Sequence, residues 1–193
     1  MKSHGGLVTM VLLLLSSLAF AQDHSSMQKS SPAPKSDAEM SFDTMKSLAG
    51  KWIGPVTLDS PDPNLKTDDK PLEVTMRVTS RGNALVHEVQ TAGTPLDATK
   101  YDHPVTMLYL DGDRLTLVHY CDAGNRPRMV ARKSADGKRV EFDFVDLAGS
   151  NQRGHMYHAV FTSIDANHHT EDWTYMLPGD KPLRAHFDLQ REP

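Results

Sequence analysis

The feature that most constrains this chain is a period of two that sets in after Gly50 and runs to the C-terminus. Val74, Met76 and Val78 alternate with Glu73, Thr75 and Arg77. Val140, Phe142 and Phe144 alternate with Glu141 and Asp143, and Leu183, Ala185, Phe187 and Leu189 alternate with Arg184, His186 and Asp188. Successive side chains of a strand point to opposite faces, so this pattern calls for strands with one apolar face each. Ten strands are predicted, over 51–58, 72–79, 84–91, 103–110, 114–121, 127–133, 138–145, 155–163, 169–177 and 183–191. Arg81-Gly82-Asn83, Asp111-Gly112-Asp113, Ala123-Gly124-Asn125, Asp136-Gly137 and Pro178-Gly179-Asp180 supply turns between them. No helical pattern interrupts the series, which excludes parallel crossovers. Sequential antiparallel strands in this number close most simply into an up-and-down barrel, which removes exposed edges. A two-sheet sandwich is the alternative.

Upstream of the strands the pattern differs. Residues 1–21 carry Lys2, an apolar run from Leu7 to Leu18 and an Ala19-Phe20-Ala21 cleavage site, and so predict a secretory signal peptide. The run is short for a membrane span, and no second one follows. Residues 22–35 are rich in Ser, Pro, Lys and Gln and predict a disordered tether. The folded domain is then 36–193. It opens on Ser36-Asp37-Ala38-Glu39, a capping-box pattern, followed by Phe42, Met45 and Leu48 at helical spacing. One short helix is expected over 37–49, with Gly50 placed to end it. The expected location is exported, either periplasmic or secreted.

Composition narrows the functional classes. The formal net charge is −4 with a pI near 6.2, which argues against a partner bound by phosphate neutralisation, so no nucleic acid is expected. A single cysteine excludes a disulfide scaffold and any multi-cysteine metal site, while histidine is abundant at ten residues. Nucleotide loops, G-x-S-x-G and H-E-x-x-H are absent from the sequence.

Gly50-Lys51-Trp52 at the head of the first strand and Arg191 at the end of the last resemble the calycin superfamily, the lipocalin and fatty-acid-binding type of barrel. The resemblance implies that Trp52 and Arg191 are structural and stack as a cation–π pair across the barrel floor. Gly50-Lys51-Trp52-Ile53-Gly54 also resembles the opening of nitrobindin-type haem barrels, which implies haem as a cofactor; His186 is the histidine nearest the C-terminus. The folded unit is similar as well to uncharacterised secreted bacterial lipocalin-like domains of unknown function, a likeness strengthened by the stretch from His119 to Arg128.

Loop lengths orient the barrel. The connections 59–71, 92–102 and 146–154 are long and fall at one end of a meander; those after the second, fourth, sixth and eighth strands are short. One mouth is therefore expected to admit a small, partly apolar molecule. His119 and Cys121, two apart on one strand, face the same way and suit either a transition metal or a nucleophile–base pair. Arg128 would hold an anionic head group. His155 and His158 are three apart on a strand, so one is expected to face inward. His87 lies mid-strand between Leu85 and Val89, and His168 and His169 fall at the closed-end turn. The ligand-binding candidates are thus His87, His119, Cys121, Arg128, His155 and His158. Asp59, Asp62, Asp68 and Asp69 form a solvated acidic loop. Binding of a small molecule is the favoured reading; the alternatives are a haem or metal barrel and an enzyme using His119 or Cys121.

Overall fold

The computed structural model describes residues 34–193 except 66, 68 and 133–136. The signal-peptide reading, the tether up to residue 33, Asp68 and the first residue of the Asp136-Gly137 turn lie outside the described residues. No helix among the described residues is long and apolar enough to cross a membrane.

Helix α1 spans Asp37–Ser47 and begins as the sequence predicts. Ser36 Oγ accepts from the Glu39 backbone N–H at 3.2 Å, and the Ser36 N–H donates to Glu39 Oε2 at 2.7 Å. This capping box satisfies two of the amides that a helix start leaves without partners. At the other end the cap is Leu48 in right-handed helical geometry, not a left-handed glycine. Gly50 already belongs to the first strand.

The strands are β1 (Gly50–Gly54), β2 (Val56–Asp59), β3 (Leu72–Thr79), β4 (Ala84–Thr91), β5 (Val105–Asp111), β6 (Arg114–Tyr120), β7 (Arg126–Arg132), β8 (Arg139–Ala148), β9 (His155–Asp165), β10 (His168–Leu177) and β11 (Lys181–Arg191). Each pairs antiparallel with the next from β3 to β11, and β1 pairs with both β3 and β11. The sheet is therefore closed. β1 and β2 are two halves of the single first strand, interrupted at Pro55, which has no N–H to give to a ladder. Counted this way, the molecule is a ten-strand antiparallel barrel with one short helix before it. Beyond the break, β2 pairs only with β11, so the wall between β2 and β3 is unpaired towards the end from which residues 60–71 emerge.

The helix packs Phe42, Met45 and Leu48 into the barrel core beside Trp52, Leu115, Leu117 and Phe142. It lies at the end with the short turns: Thr44 Oγ1 donates to the Gly137 carbonyl at 3.1 Å. That half of the barrel is filled. Burial of large apolar side chains here supplies roughly 1.5–3 kcal/mol each, without need of a disulfide.

The G-x-W-x-G pattern has a local explanation. Trp52 is fully buried and directly opposite Arg191 in the β1–β11 register. The guanidinium lies 4.0 Å from the ring centroid, a cation–π contact. Arg191 also donates to the carbonyls of Ala49 (2.8 Å), Ser47 (3.3 Å) and Ala166 (2.9 Å), and Trp52 Nε1 donates to the Leu48 carbonyl at 2.8 Å. A cation and an indole N–H thus occupy the carbonyls at the helix C-terminus that no backbone donor can reach. Gly50 is glycine because a Cβ there would stand 2.3 Å from Arg191 Nη1, at a φ of +144°. Gly54 is glycine because a Cβ would stand 1.8 Å from the Asp188 carbonyl oxygen. Backbone cannot retreat as a side chain can, so Gly54→Ala is expected to cost at least about 2 kcal/mol in urea unfolding. A loss under about 0.5 kcal/mol would contradict this close approach.

Candidate functional site

The other half of the barrel is hollow. A cavity of about 450 Å³ opens at the end with the long connections. Val56, Leu58, Val89, Met156, Leu183 and Phe187 supply apolar wall, and Thr67, Lys70, Asp102 and Asp122 come from or adjoin the loops around the opening. His87, His119 and Trp173 line its inner part.

The register explains how these side chains meet. His87 on β4 is opposite Thr106 on β5, which is opposite His119 on β6. The three form one row on the inner face. From β10, His169, Glu171 and Trp173 project inward at every second position, and all three are buried. Glu171 is completely buried and is the hub of the site. Its carboxylate accepts from His87 Nε2 at 3.0 and 3.1 Å, from His169 Nε2 at 3.0 Å and from Trp173 Nε1 at 2.8 Å. Burial alone would raise the pKa of this acid. The charge on His87 and the hydrogen bonds from both histidines outweigh that and hold it well below the usual carboxylate range. Glu171 is therefore ionised and can only accept, so each histidine presents a protonated Nε2 to it. The remaining ring nitrogens, Nδ1 of His87 and of His169, are buried with no hydrogen-bond partner.

His119 differs from these two. Its Nδ1 shares a 2.9 Å hydrogen bond with Thr106 Oγ1. Among the described residues no hydrogen bond is made to its Nε2, and the ring lines the cavity. Burial, reinforced by the charge of nearby His87, pushes its pKa down to about 4, so the ring is neutral at neutral pH. Trp173 packs between these rings, with centroids 5.6 Å from His87, 5.8 Å from His119 and 5.4 Å from Phe161.

The structure distributes the sequence candidates unequally. His87, His119 and Cys121 all line the cavity. Cys121 lies just past the end of β6, half-buried at the opening. Burial, together with the carboxylates of Asp102 and Asp122, pushes its thiol up from its ordinary value. Arg128 is not among the lining residues. It pairs with Asp146 across the β7–β8 ladder and lies 3.9 Å from Asp111, with its side chain 29% exposed. Neither His155 nor His158 lines the cavity either. A bulge between Thr174 and Tyr175 in the β9–β10 register puts Met156 opposite Tyr175 and gives Met156 the inward position. His155 instead packs on Phe144 at 4.6 Å, where β8 and β9 are no longer paired, and bonds Asn151 Oδ1 at 2.7 Å. His158 sits between Glu141 (3.4 Å) and Asp143 (3.3 Å). Among the described residues that trio is the one group of three metal-type side chains whose ligand atoms all lie within 4.8 Å of one another. Arg132 already pairs with both of its carboxylates, so the charge a cation would neutralise is largely met. His186 is half-exposed and bonds Asp172 at 2.7 Å.

Sequence reasoning missed Glu171 and set His169 aside as a turn residue. The available signal was the run His169, Glu171, Trp173. An acid placed in phase with a tryptophan on a strand is an acid facing inward.

The sequence matches no protein-family model and no curated protein. Among solved structures, a protein of unknown function from the DUF3598 family of Nostoc punctiforme is similar at a TM-score of 0.25 and 6% identity, covering 79% of this chain and 99% of that one. The barrel described above rests on its own strand pairing.

His119 makes stability depend on pH. Unfolded, it takes up a proton below about pH 6.5; folded, it stays neutral down to about pH 4. The unfolded state therefore binds more protons in that window, and stability falls as the pH drops through it. Relative to His119→Leu, the wild-type protein is expected to lose roughly 3 kcal/mol of unfolding free energy between pH 6.5 and 4. Parallel pH profiles of the two proteins would contradict a buried, neutral His119.

Proposed function

We propose that this protein is an exported, calycin-like barrel that binds a small, partly apolar molecule in its open half. The observation that carries this reading is the cavity itself. A chain able to pack its other half with Trp52, Phe142 and Phe161 leaves about 450 Å³ open on one side. The size is that of a ligand pocket, and the lining pairs apolar wall with a few converging polar groups. The polar groups are held in advance: Glu171 fixes His87, and Thr106 fixes His119. Preorganisation of this kind reduces the ordering cost of binding.

The Nε2 of His119, to which no hydrogen bond is made among the described residues, supports a second reading, in which that nitrogen ligates a haem iron or a transition metal. Hemin added to the purified protein should then give a Soret shift that His119→Leu abolishes. Catalysis by Cys121 has less support, since its thiol is disfavoured as a thiolate at neutral pH.

The neutral probe N-phenyl-1-naphthylamine is expected to gain fluorescence on entering the cavity and to quench Trp173. Ala185 lines the same wall, so Ala185→Phe fills the space and should weaken the probe at least tenfold with an unchanged circular dichroism spectrum. Equal binding by both proteins would place the probe elsewhere. For Cys121, alkylation by iodoacetamide at pH 7.5 is expected to run at least tenfold slower in the folded protein than in urea. A rate equal to or above the unfolded one would restore the nucleophile reading.

A further inference from the structure

A small molecule that enters this cavity meets an unusual floor. The only Lys or Arg among its described lining residues is Lys70, which is exposed at the opening. Asp102 and Asp122 flank the same opening, and Arg153 is held by Asp122 at 2.9 Å. Deeper in lies the Glu171 carboxylate, behind His87 and Trp173 and already engaged by both, and no Lys or Arg stands beside it among the described lining residues. Arg128, the guanidinium that the sequence offered for an anionic head, is committed to Asp146 away from the cavity. Among the described residues no hydrogen bond is made to His119 Nε2, whose ring lines the cavity with its Nδ1 on Thr106.

We infer, resting on the binding reading above, that the cavity takes amphiphiles with an uncharged hydrogen-bonding head, seated on His119 Nε2, and rejects carboxylates. The reason is electrostatic. A carboxylate carried into a space of low polarity must exchange its hydration for a cation or several donors. Here it would find a neutral imidazole and, behind it, a second negative charge. His119 does not protonate to help it, because burial holds its pKa near 4. A hydroxyl or carbonyl carries no such penalty. With Thr106 Oγ1 on Nδ1, Nε2 either accepts from a hydroxyl or donates to an oxygen, according to which nitrogen bears the ring proton. The Nδ1 of neighbouring His87 lies in the same inner row, buried and without a hydrogen-bond partner, while its Nε2 is committed to Glu171.

The test is displacement of N-phenyl-1-naphthylamine from the full-length protein by two molecules of equal tail length, 1-decanol and decanoate. At pH 7.5 decanol is expected to displace the probe at least tenfold more effectively. Only the protonated acid would bind, and its fraction rises about tenfold per pH unit as pH falls towards the carboxyl pKa near 4–5. Apparent decanoate affinity should therefore rise roughly thirtyfold from pH 7.5 to 6, while that of decanol stays constant. His119→Leu should weaken decanol about fivefold or more once that variant's own probe affinity is allowed for; His119→Gln, which keeps a hydrogen-bonding atom, should restore most of the loss. Decanoate binding as well as decanol at pH 7.5, or an unchanged decanol affinity in His119→Leu, overturns the inference and leaves the binding reading standing. Failure of the probe itself to bind overturns both. If His119→Leu does not fold, the two pH series on the wild-type protein decide the matter alone.

Discussion

The contact on which the rest of this structure depends is the stack built around Trp52. Arg191 covers the ring at 4.0 Å and ties down the last carbonyls of the helix. His169 meets the same indole edge-on at 4.2 Å. His169 then reaches Glu171, and Glu171 reaches His87 and Trp173. A continuous run of contacts thus leads from the helix terminus through the closed end of the barrel to the floor of the cavity. The order of dependence is physical. Without the cation over Trp52 the helix carbonyls lose their donors, and without Trp52 the ring of His169 loses its wall. Glu171 would then hold its charge among fewer fixed partners.

That run crosses the barrel, which matters for rigidity. Glu171 on β10 and His87 on β4 are linked by no ladder hydrogen bond, so their side-chain contact fixes the spacing of opposite walls. A buried ion-paired network contributes little net stability, because desolvation offsets much of the attraction. Its physical effect is geometric. Three donors converging on one carboxylate admit few arrangements, and the row from His87 through Thr106 to His119 inherits that definition. The filled half of the barrel and the hollow half therefore meet at a polar layer rather than at an apolar one.

Two irregularities shape the hollow half. Pro55 divides the first strand and leaves the β2–β3 wall unpaired, which widens the opening. The bulge in β9 shifts the inward phase by one residue and sets Met156, in place of Tyr157, opposite Tyr175. Together they make the upper cavity more apolar than the alternation alone would make it. The polar chemistry is thereby concentrated at the inner end, in His119 and the Glu171 cluster.

The sequence by itself determined the barrel. Its period of two, its turn residues and the absence of helical stretches leave little room for another closed antiparallel arrangement, and the capping box at Ser36 and Glu39 formed as local chemistry requires. The stacking of Arg191 on Trp52 was implied only by a resemblance of sequence; closure of β1 on β11 is what sets the two side chains opposite each other. Only the tertiary structure decided which histidines face the interior. A one-residue slip reverses every side chain after it, and neither the bulge near His158 nor the outward turn of Arg128 towards Asp146 leaves a mark in hydropathy. Glu171 was hidden for a related reason. An acid on a strand reads as solvent-facing until its three donors, drawn from β4 and β10, are brought together, and folding alone supplies that convergence.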